Sequence, residues 1–247
     1  MYELIREDSY KTVHFKNKKI IFFTPSLLSR WRVETLFSKE PETIKWINTF
    51  KNNKNIIFWD IGANIGLYSL YCSIKKNKIS VISFEPSPNN LVLLTRNISI
   101  NKLHNIEVFP MPICSKKIAH MNFYENSLKE GSALNSYSQS IKAINLNRFK
   151  LPGFSIDYLL FNKIYNIPDY IKIDVDGIER EILIGGEKIF YNKKIKSVLV
   201  EIDKNIPNNN KFIISFFKKR NFFYNKKIFY NLNNKNQKTY NMIFYRK

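Results

Sequence analysis

The sequence predicts an α/β protein: a mostly parallel sheet with helices on both faces, closed by a C-terminal antiparallel strand pair. Three observations carry this. From Asn55 onward, short apolar runs alternate with helical stretches, the pattern of βα units that build parallel sheets. The run Ile56–Asp60 is almost continuously apolar, as a strand covered on both faces must be. Glycines and carboxylates gather just after the predicted strands, where open α/β sheets take their ligands.

The elements follow in order. Residues 1–54 read as an N-terminal extension that packs on the domain formed by residues 55–247. In the extension, Ile20–Phe23 is a strand stopped by Thr24-Pro25. Glu40-Pro41-Glu42 opens a helix over about Glu42–Phe50, with Pro in the first turn and acids at the positive end of the dipole. Trp46, Ile47 and Phe50 fall at helical spacing and face inward.

In the domain, the strand Ile56–Asp60 leads to a helix over Ile65–Ile74, then a strand over Ser80–Glu85. Ser87 caps a helix reaching Ile100, with Pro88 at its first position. Ile106–Met111 is a third strand. Cys114–Asn147 is less regular, with one strand at His120–Tyr124 and a polar stretch at Glu130–Ser140. Tyr170–Asp174 is a strand, and a helix over Ile178–Ile184 ends at Gly185-Gly186. Ser197–Ile202 is the next strand. A helix over Lys211–Arg220 ends on basic residues, with Asn221 at the left-handed cap position. Phe222–Tyr230 and Thr239–Arg246 form the closing pair, joined by Asn231–Lys238.

Composition bounds the function classes. With 247 residues and 44% hydrophobic content, the chain has material for a full core and needs no disulfide staples. Cys72 and Cys114 are placed too differently to pair, and no His or Cys spacing suits zinc. The N-terminus carries acids where a signal peptide needs a basic region, and the apolar runs are far too short to span a bilayer. A reducing, cytoplasmic setting is the expectation. The net charge of +20 has two readings. One is a footprint for nucleic acid or anionic lipid. The other is compositional drift, because Lys, Asn and Ile are all over-used and share A/T-rich codons. Lys is spread along the whole chain and far outnumbers Arg, whereas phosphate readers favour the Arg fork, so drift is the reading adopted.

The loop Asp60-Ile61-Gly62-Ala63-Asn64-Ile65-Gly66 joins the first domain strand to its helix. Asp60 ends the strand and can attract a cationic amino group. Gly62 lets the backbone approach a ligand closely. Asn64 tolerates a left-handed backbone and can cap the helix, and Gly66 permits close helix–strand packing. Glu85, nineteen residues beyond Gly66, ends the second strand, where an acid can accept from the ribose hydroxyls of an adenosine ligand. Pro86 and Pro88 stiffen its turn. A nicotinamide dinucleotide site would need G-x-G-x-x-G, and this loop has Asn64 and Leu67 at two of the three glycine positions. A plain βα turn using Gly for packing alone is the remaining alternative.

The segments Phe58–Leu70, Phe84-Glu85-Pro86-Ser87-Pro88 and Ile171–Glu179, in this order, resemble the FkbM family of methyltransferases, over roughly residues 40–205. Lys39-Glu40-Pro41-Glu42-Thr43 is similar to the family as well. The resemblance implies a Rossmann-like class I methyltransferase fold and S-adenosylmethionine as cofactor. The positions that would bind it are Asp60, Gly62, Ala63, Asn64, Gly66, Glu85 and Pro86. It also implies methyl transfer, usually to a hydroxyl oxygen, with glycans and natural products among the acceptors. Two departures are visible. Asp176 stands where Glu is more usual, a carboxylate drawn back by about 1.5 Å, and Ser155-Ile156-Asp157 replaces a commoner Thr-Leu-Asp.

Lys172 and Asp174 share one face of their strand, and a lysine inside a central strand is costly to bury unless paired. Asp176, Glu179 and Glu201 lie close by in the predicted fold. The catalytic candidates are Asp174, Lys172 and Glu201, with a carboxylate or Lys172 helping to remove the acceptor's hydroxyl proton. The plainer alternative is that Lys172 neutralises Asp174 or Glu201 and that Glu179 stabilises a helix N-terminus. Asp174, Asp176 and Glu201 could hold a divalent metal, but no spacing demands one, so no metal is assigned. His14, His104 and His120 read as surface or packing residues, and the aromatic, basic C-terminal tail as a lysine-protected sheet edge. The expected partner is a small-molecule or glycan acceptor, with Glu130–Ser140 suited to a loop over its pocket. No specific nucleic acid is expected, and nothing in the sequence indicates an oligomeric state. The rivals are an RNA methyltransferase and a non-catalytic module that keeps the fold.

Overall fold

The computed structural model describes residues 9–51, 55–76, 78–125, 136–137, 147–175, 177–224 and 238–246. The chain opens with an antiparallel hairpin, β1 (Tyr10–Phe15) and β2 (Lys18–Phe23), turned at Lys16 with its positive φ. Helices α1 (Leu27–Glu34) and α2 (Pro41–Asn48) follow, and then β3 (Ile56–Ile61), α3 (Leu67–Lys75), β4 (Ile79–Phe84), α4 (Pro88–Ile100) and β5 (Ile106–Phe109). A small antiparallel sheet of β6 (Ile118–Glu125), β7 (Ser136–Tyr137) and β8 (Asn147–Phe154) is inserted next, in the order β7-β6-β8. The domain resumes with α5 (Ile156–Phe161), β9 (Tyr170–Ile173), α6 (Glu179–Gly185), β10 (Ser197–Asp203), α7 (Pro207–Lys218), β11 (Phe222–Tyr224) and β12 (Thr239–Arg246).

The main sheet has seven strands in the order β11-β12-β10-β9-β3-β4-β5. Every pairing is parallel except the two made by β12, which runs against β10 and β11. The chain starts at the centre with β3, steps outward to β5, and returns to β9 on the other side of β3. The crevice at this reversal is where such sheets bind ligands. It brings the end of β3 beside the end of β9.

Successive side chains of β3 point to opposite faces, and two cores result. Trp59 and Ile61 pack with α5, α6 and α7 on one face. Phe58 packs on the other with Trp46, Phe50, Leu70 and Leu94. The N-terminal segment closes this second face. Ile20, Phe22, Val33 and Leu36 are buried in the same cluster, and each such side chain contributes roughly 1.5–3 kcal/mol of burial. Trp46 donates its Nε1–H to Ser197 Oγ at 2.8 Å, and Phe50 stacks on Tyr170 at 3.7 Å between ring centroids. Phe222–Tyr230 is seen as a strand through Tyr224, the last of these residues to be described.

Several boundaries differ from expectation for identifiable reasons. The helix expected from Ile65 starts at Leu67, because Gly66 at φ 88° is its N-cap; Asn64, at φ 51°, shapes the turn but does not cap the helix. The strand expected to reach Met111 stops at Phe109, before Pro110. The helix expected from Lys211 begins at Pro207, with Pro in the first turn. Strand β1, helix α1, strand β8 and helix α5 were not anticipated. Ser87 does cap α4, accepting from Asn90 N–H at 3.3 Å. Both cysteines are buried and free. Of Glu130–Ser140, only Ser136 and Tyr137 lie within the described residues. No helix among the described residues is long and apolar enough to cross a membrane.

Asn97, fully buried on α4, ties these parts together. Its Oδ1 accepts from Phe23 N–H at 2.7 Å, and its Nδ2 donates to the Ile65 carbonyl at 2.9 Å. Asn97→Leu strands both backbone groups, at a cost of about 2 kcal/mol or more. A thermal melt is expected to drop by roughly 4–8 °C, on the scaling for a domain of this size.

Candidate active site

The loop after β3 is closed by backbone geometry. Gly62 and Ala63 both donate to the Phe84 carbonyl, at 2.9 and 3.0 Å. Gly62 has φ 83°, and a Cβ there would lie 1.8 Å from the Asp174 carbonyl oxygen. This glycine is thus required by the approach of the β9 end, a constraint that the ligand-approach argument did not foresee. Gly66 packs against Leu70 and Leu94, where a Cβ would come within 2.8 Å of both.

Glu85 is buried at the end of β4 and pins the loop from the far side. Its Oε2 accepts from Asn64 N–H at 2.7 Å, and its Oε1 from Ser87 N–H at 3.0 Å and Asn90 Nδ2 at 3.3 Å. Pro86, the next residue, carries the chain from this carboxylate to the Ser87 cap.

At the crevice, strand register creates an ion cluster. Asp60 and Lys172 are direct partners in the β3–β9 pairing. Lys172 is 1% exposed; its Nζ lies 2.8 Å from Asp174 Oδ2, 3.7 Å from Asp60 Oδ1, and over the Tyr68 ring. Asp60 is equally buried, and its Oδ2 accepts from Ser69 Oγ at 2.6 Å. Burial pushes the Asp60 carboxyl up, and Lys172 offsets this only in part. Burial would lower Lys172, but Asp174 and Asp60 outweigh it and hold the ammonium above its ordinary value. Burial would likewise raise Asp174; Lys172 outweighs it, with Lys39 and Arg32 adding to the pull, and the carboxyl is held low.

A pocket opens above this cluster. Its walls include Gly62, Ala63 and Asn64 of the loop and the three candidates Lys172, Asp174 and Glu201. Asp60 is not among the lining residues. It lies 3.7 Å from the Lys172 ammonium, and Gly66, Glu85 and Pro86 are likewise outside the lining. Lys172 lines the pocket too, its ammonium held above its ordinary value by Asp174 and Asp60 against the effect of burial.

The sequence reading missed the pocket's remaining wall. Arg32, Leu36, Lys39 and Glu40 come from the N-terminal segment, and Tyr68 from α3. Glu40 is built in: its Oε2 accepts from Tyr68 Oη at 2.8 Å and Asn241 Nδ2 at 3.1 Å, and its Oε1 meets Lys39 Nζ at 3.2 Å. The Lys39-Glu40-Pro41 stretch was the available signal. Asp176 lies outside the described residues. Among the described residues, no group of three or more His, Cys, Asp or Glu is placed to hold a metal.

Residues 60–224 match the family profile of the methyltransferase FkbM domain, two thirds of the chain and all of the crevice loops. The chain belongs to the FkbM methyltransferase family. A hexuronic acid methyltransferase, AglP of Haloferax volcanii, is 27% identical over 194 residues, which cover 73% of this chain and 69% of that one. Two solved structures share the fold at a TM-score of 0.50. They are a precorrin-6y C5,15-methyltransferase from Geobacter metallireducens (11% identity, covering 87% of this chain and 92% of that one) and an rRNA methylase from Streptococcus thermophilus (10% identity, covering 83% and 94%). The FkbM domain is a Rossmann-like class I methyltransferase fold that uses S-adenosylmethionine. The donor set agrees with that cofactor. Lys172 is paired with Asp174 and Asp60, and the carboxylates of Glu40, Asp174 and Glu201 share the lining with Arg32 and Lys39, so the pocket offers acidic partners to a ligand's ammonium and sulfonium.

Two predictions follow from these charges. Lys172→Met leaves Asp60 buried without its cation and should cost about 3 kcal/mol or more in urea denaturation. The double variant Asp60→Asn, Lys172→Met should regain part of that loss.

The second concerns Glu179, buried at the first turn of α6, whose Oε1 accepts from Gly177 N–H at 3.0 Å. Burial outweighs the backbone hydrogen bonds and pushes it up to about 6 from 4.5. A raised folded pKa means that the folded state binds the proton more tightly. The resulting stability is present below the unfolded value and is lost as pH rises through about 6. Relative to Glu179→Gln, the parent should lose on the order of 2 kcal/mol between pH 4.5 and 7.5 in urea midpoints.

Proposed function

We propose that this FkbM methyltransferase moves the methyl group of S-adenosylmethionine to a hydroxyl oxygen of a sugar or glycan precursor. One observation carries the reading: Asp174 faces the pocket as an ionised carboxylate, 24% exposed, hydrogen-bonded to a buried ammonium that cannot itself act as a base. Such a group accepts a hydrogen bond from an incoming hydroxyl and fixes the direction of its lone pair. Because its pKa is held low, its contribution is mainly positioning, which can supply a large share of a barrier reduction. The cofactor, when bound, supplies an electrophilic methyl on a sulfonium that leaves as a neutral thioether. The hydroxyl proton passes to Asp174 or to solvent as the carbon–oxygen bond forms.

The other site residues take supporting roles in this reading. Lys172 holds Asp174 ionised and in place, and Glu201 adds a second hydroxyl acceptor on the β10 side. Gly62, Ala63, Asn64 and Gly66 shape the cofactor loop. Glu85, followed by Pro86, fixes that loop and is the acid assigned to the ribose hydroxyls in this reading; Asp60 acts through Lys172. Support for a saccharide comes from the pocket's mixture of Tyr68, Leu36 and Leu67 with several carboxylates, since sugars present apolar faces and dense hydroxyls. A relative named for hexuronic acid methylation points in the same direction. An RNA enzyme would instead gather an excess of basic residues around the reacting group, whereas here Glu40, Asp174 and Glu201 offset Arg32, Lys39 and Lys172.

The test uses cofactor labelled in its methyl group, offered with saccharide extracts and with total RNA. Label is expected in saccharide; label in RNA alone overturns the proposal. With the saccharide acceptor in hand, Asp174→Asn should fold and lose more than tenfold in turnover, a rise of about 1.4 kcal/mol in the barrier. Unchanged turnover would remove Asp174 from the mechanism.

A further inference from the structure

The pocket's outer wall carries charge that methyl transfer to a neutral hydroxyl does not use. Arg32 is half-buried on α1, and Lys39 lies beyond the end of that helix on the same wall, with Leu36 between them. Leu36 and Val33 are buried in the core and fix this wall against the sheet. The neighbouring Arg30 faces the other way and pairs with Glu34 at 3.3 Å on the exposed side of the helix. Arg32 and Lys39 also both act on Asp174, which places them within electrostatic reach of the reacting end of the pocket.

Two cations here face a site whose cofactor brings a sulfonium and an ammonium. Like charges only a few ångströms apart repel, by about 1 kcal/mol even in bulk water and more in a half-buried pocket. Glu40 balances Lys39 in part, at 3.2 Å. The arrangement is favourable when a ligand carboxylate comes between these cations and the sulfonium. An Arg fork suits a carboxylate through paired hydrogen bonds, and a nearby Lys adds a mobile third donor.

We propose that Arg32 and Lys39 form a carboxylate clamp at the mouth of the methyl-transfer site, so that the N-terminal segment takes part in ligand selection. Two ligands can bring that carboxylate: an acidic sugar, which rests on the saccharide reading above, or the amino-acid end of the cofactor itself. Both side chains are partly exposed, so replacing them leaves the core intact.

The experiment compares the parent with the Arg32→Gln, Lys39→Gln variant by titration calorimetry, after circular dichroism shows matching spectra. S-adenosylhomocysteine is set against 5′-methylthioadenosine, which lacks the amino-acid end. With S-adenosylhomocysteine saturating, p-nitrophenyl glucuronide is set against p-nitrophenyl glucoside. At least a tenfold loss is expected for one carboxylate ligand, with its neutral counterpart unaffected. A loss for the glucuronide assigns the clamp to the acceptor, and a loss for S-adenosylhomocysteine assigns it to the cofactor. If neither affinity falls, including the case where the parent takes neither sugar, the clamp is overturned. Loss in the cofactor arm with label transfer only to RNA would sink the saccharide reading and leave the clamp standing.

Discussion

The Lys172 ammonium is the interaction on which the rest of the site depends. A lysine at 1% exposure is tolerable only if opposite charge is fixed around it. Two unrelated features of the fold supply that charge. Parallel register between β3 and β9 sets Asp60 beside it, and the two-residue period of β9 sets Asp174 on its own face. The cluster therefore exists only if β3 and β9 are adjacent and in register, and these are the strands that meet at the sheet's reversal point. The close approach of Gly62 to the Asp174 carbonyl requires the same adjacency. Fold and site are specified by one contact.

A second consequence concerns the N-terminal segment. Residues 60–224 carry the family match, yet Arg32, Leu36, Lys39 and Glu40 of the same pocket lie before it. Packing explains how a segment that precedes the matched residues is placed against the pocket. Ile20, Phe22, Val33 and Leu36 complete one face of the sheet, and Trp46 and Phe50 lock the following helix to β9 and β10 through Tyr170 and Ser197. Asn241, from the other end of the chain, holds Glu40 and Glu42 together. The wall that faces the ligand is built from both termini, while the cofactor loop is built from the centre.

What was legible in the sequence follows from which signals are local. The strand Ile56–Asp60, which the structure extends to Ile61, the cap at Ser87 and the left-handed turn at Asn64 are each written in a few adjacent residues, and all were found. The hairpin strand β1 interleaves Lys11 and His14 with its apolar residues, and α1 exposes Leu27 and Trp31, so neither shows a clean apolar face. Strand β8 contains Pro152 and Gly153, which read as breakers, and only pairing with β6 makes it a strand. In the site, Asp174, Lys172 and Glu201 were identified and do share a pocket. Their partnership with Asp60 was not foreseen, because the register between parallel strands has no local signature. Arg32, Lys39 and Tyr68 were missed for a similar reason. Apart from the Lys39-Glu40-Pro41 stretch, nothing in the residues around them marks which face of a helix will end up over a loop at the centre of the sheet.

The net charge of +20 and the chemistry of the site turn out to be separate matters. At physiological ionic strength, exposed charges are screened beyond about 8 Å. Lysines spread over the whole surface therefore set solubility and weak attraction to polyanions, but little of their field reaches the reacting centre. The charged groups of the pocket lining and the Asp60 carboxylate beside it are Lys172, Lys39 and Arg32 against Asp60, Asp174, Glu40 and Glu201, which is close to balance. The balance is also ordered in space. Asp60 lies beside Lys172 outside the lining, the carboxylates of Glu40, Asp174 and Glu201 line the pocket, and Arg32 and Lys39 stand on the wall from the N-terminal segment. A ligand with separated positive and negative groups fits such a gradient better than a uniform polyanion does. A handful of charges that the total conceals thus sets the electrostatics of the pocket, and a basic protein can carry a site that is not basic.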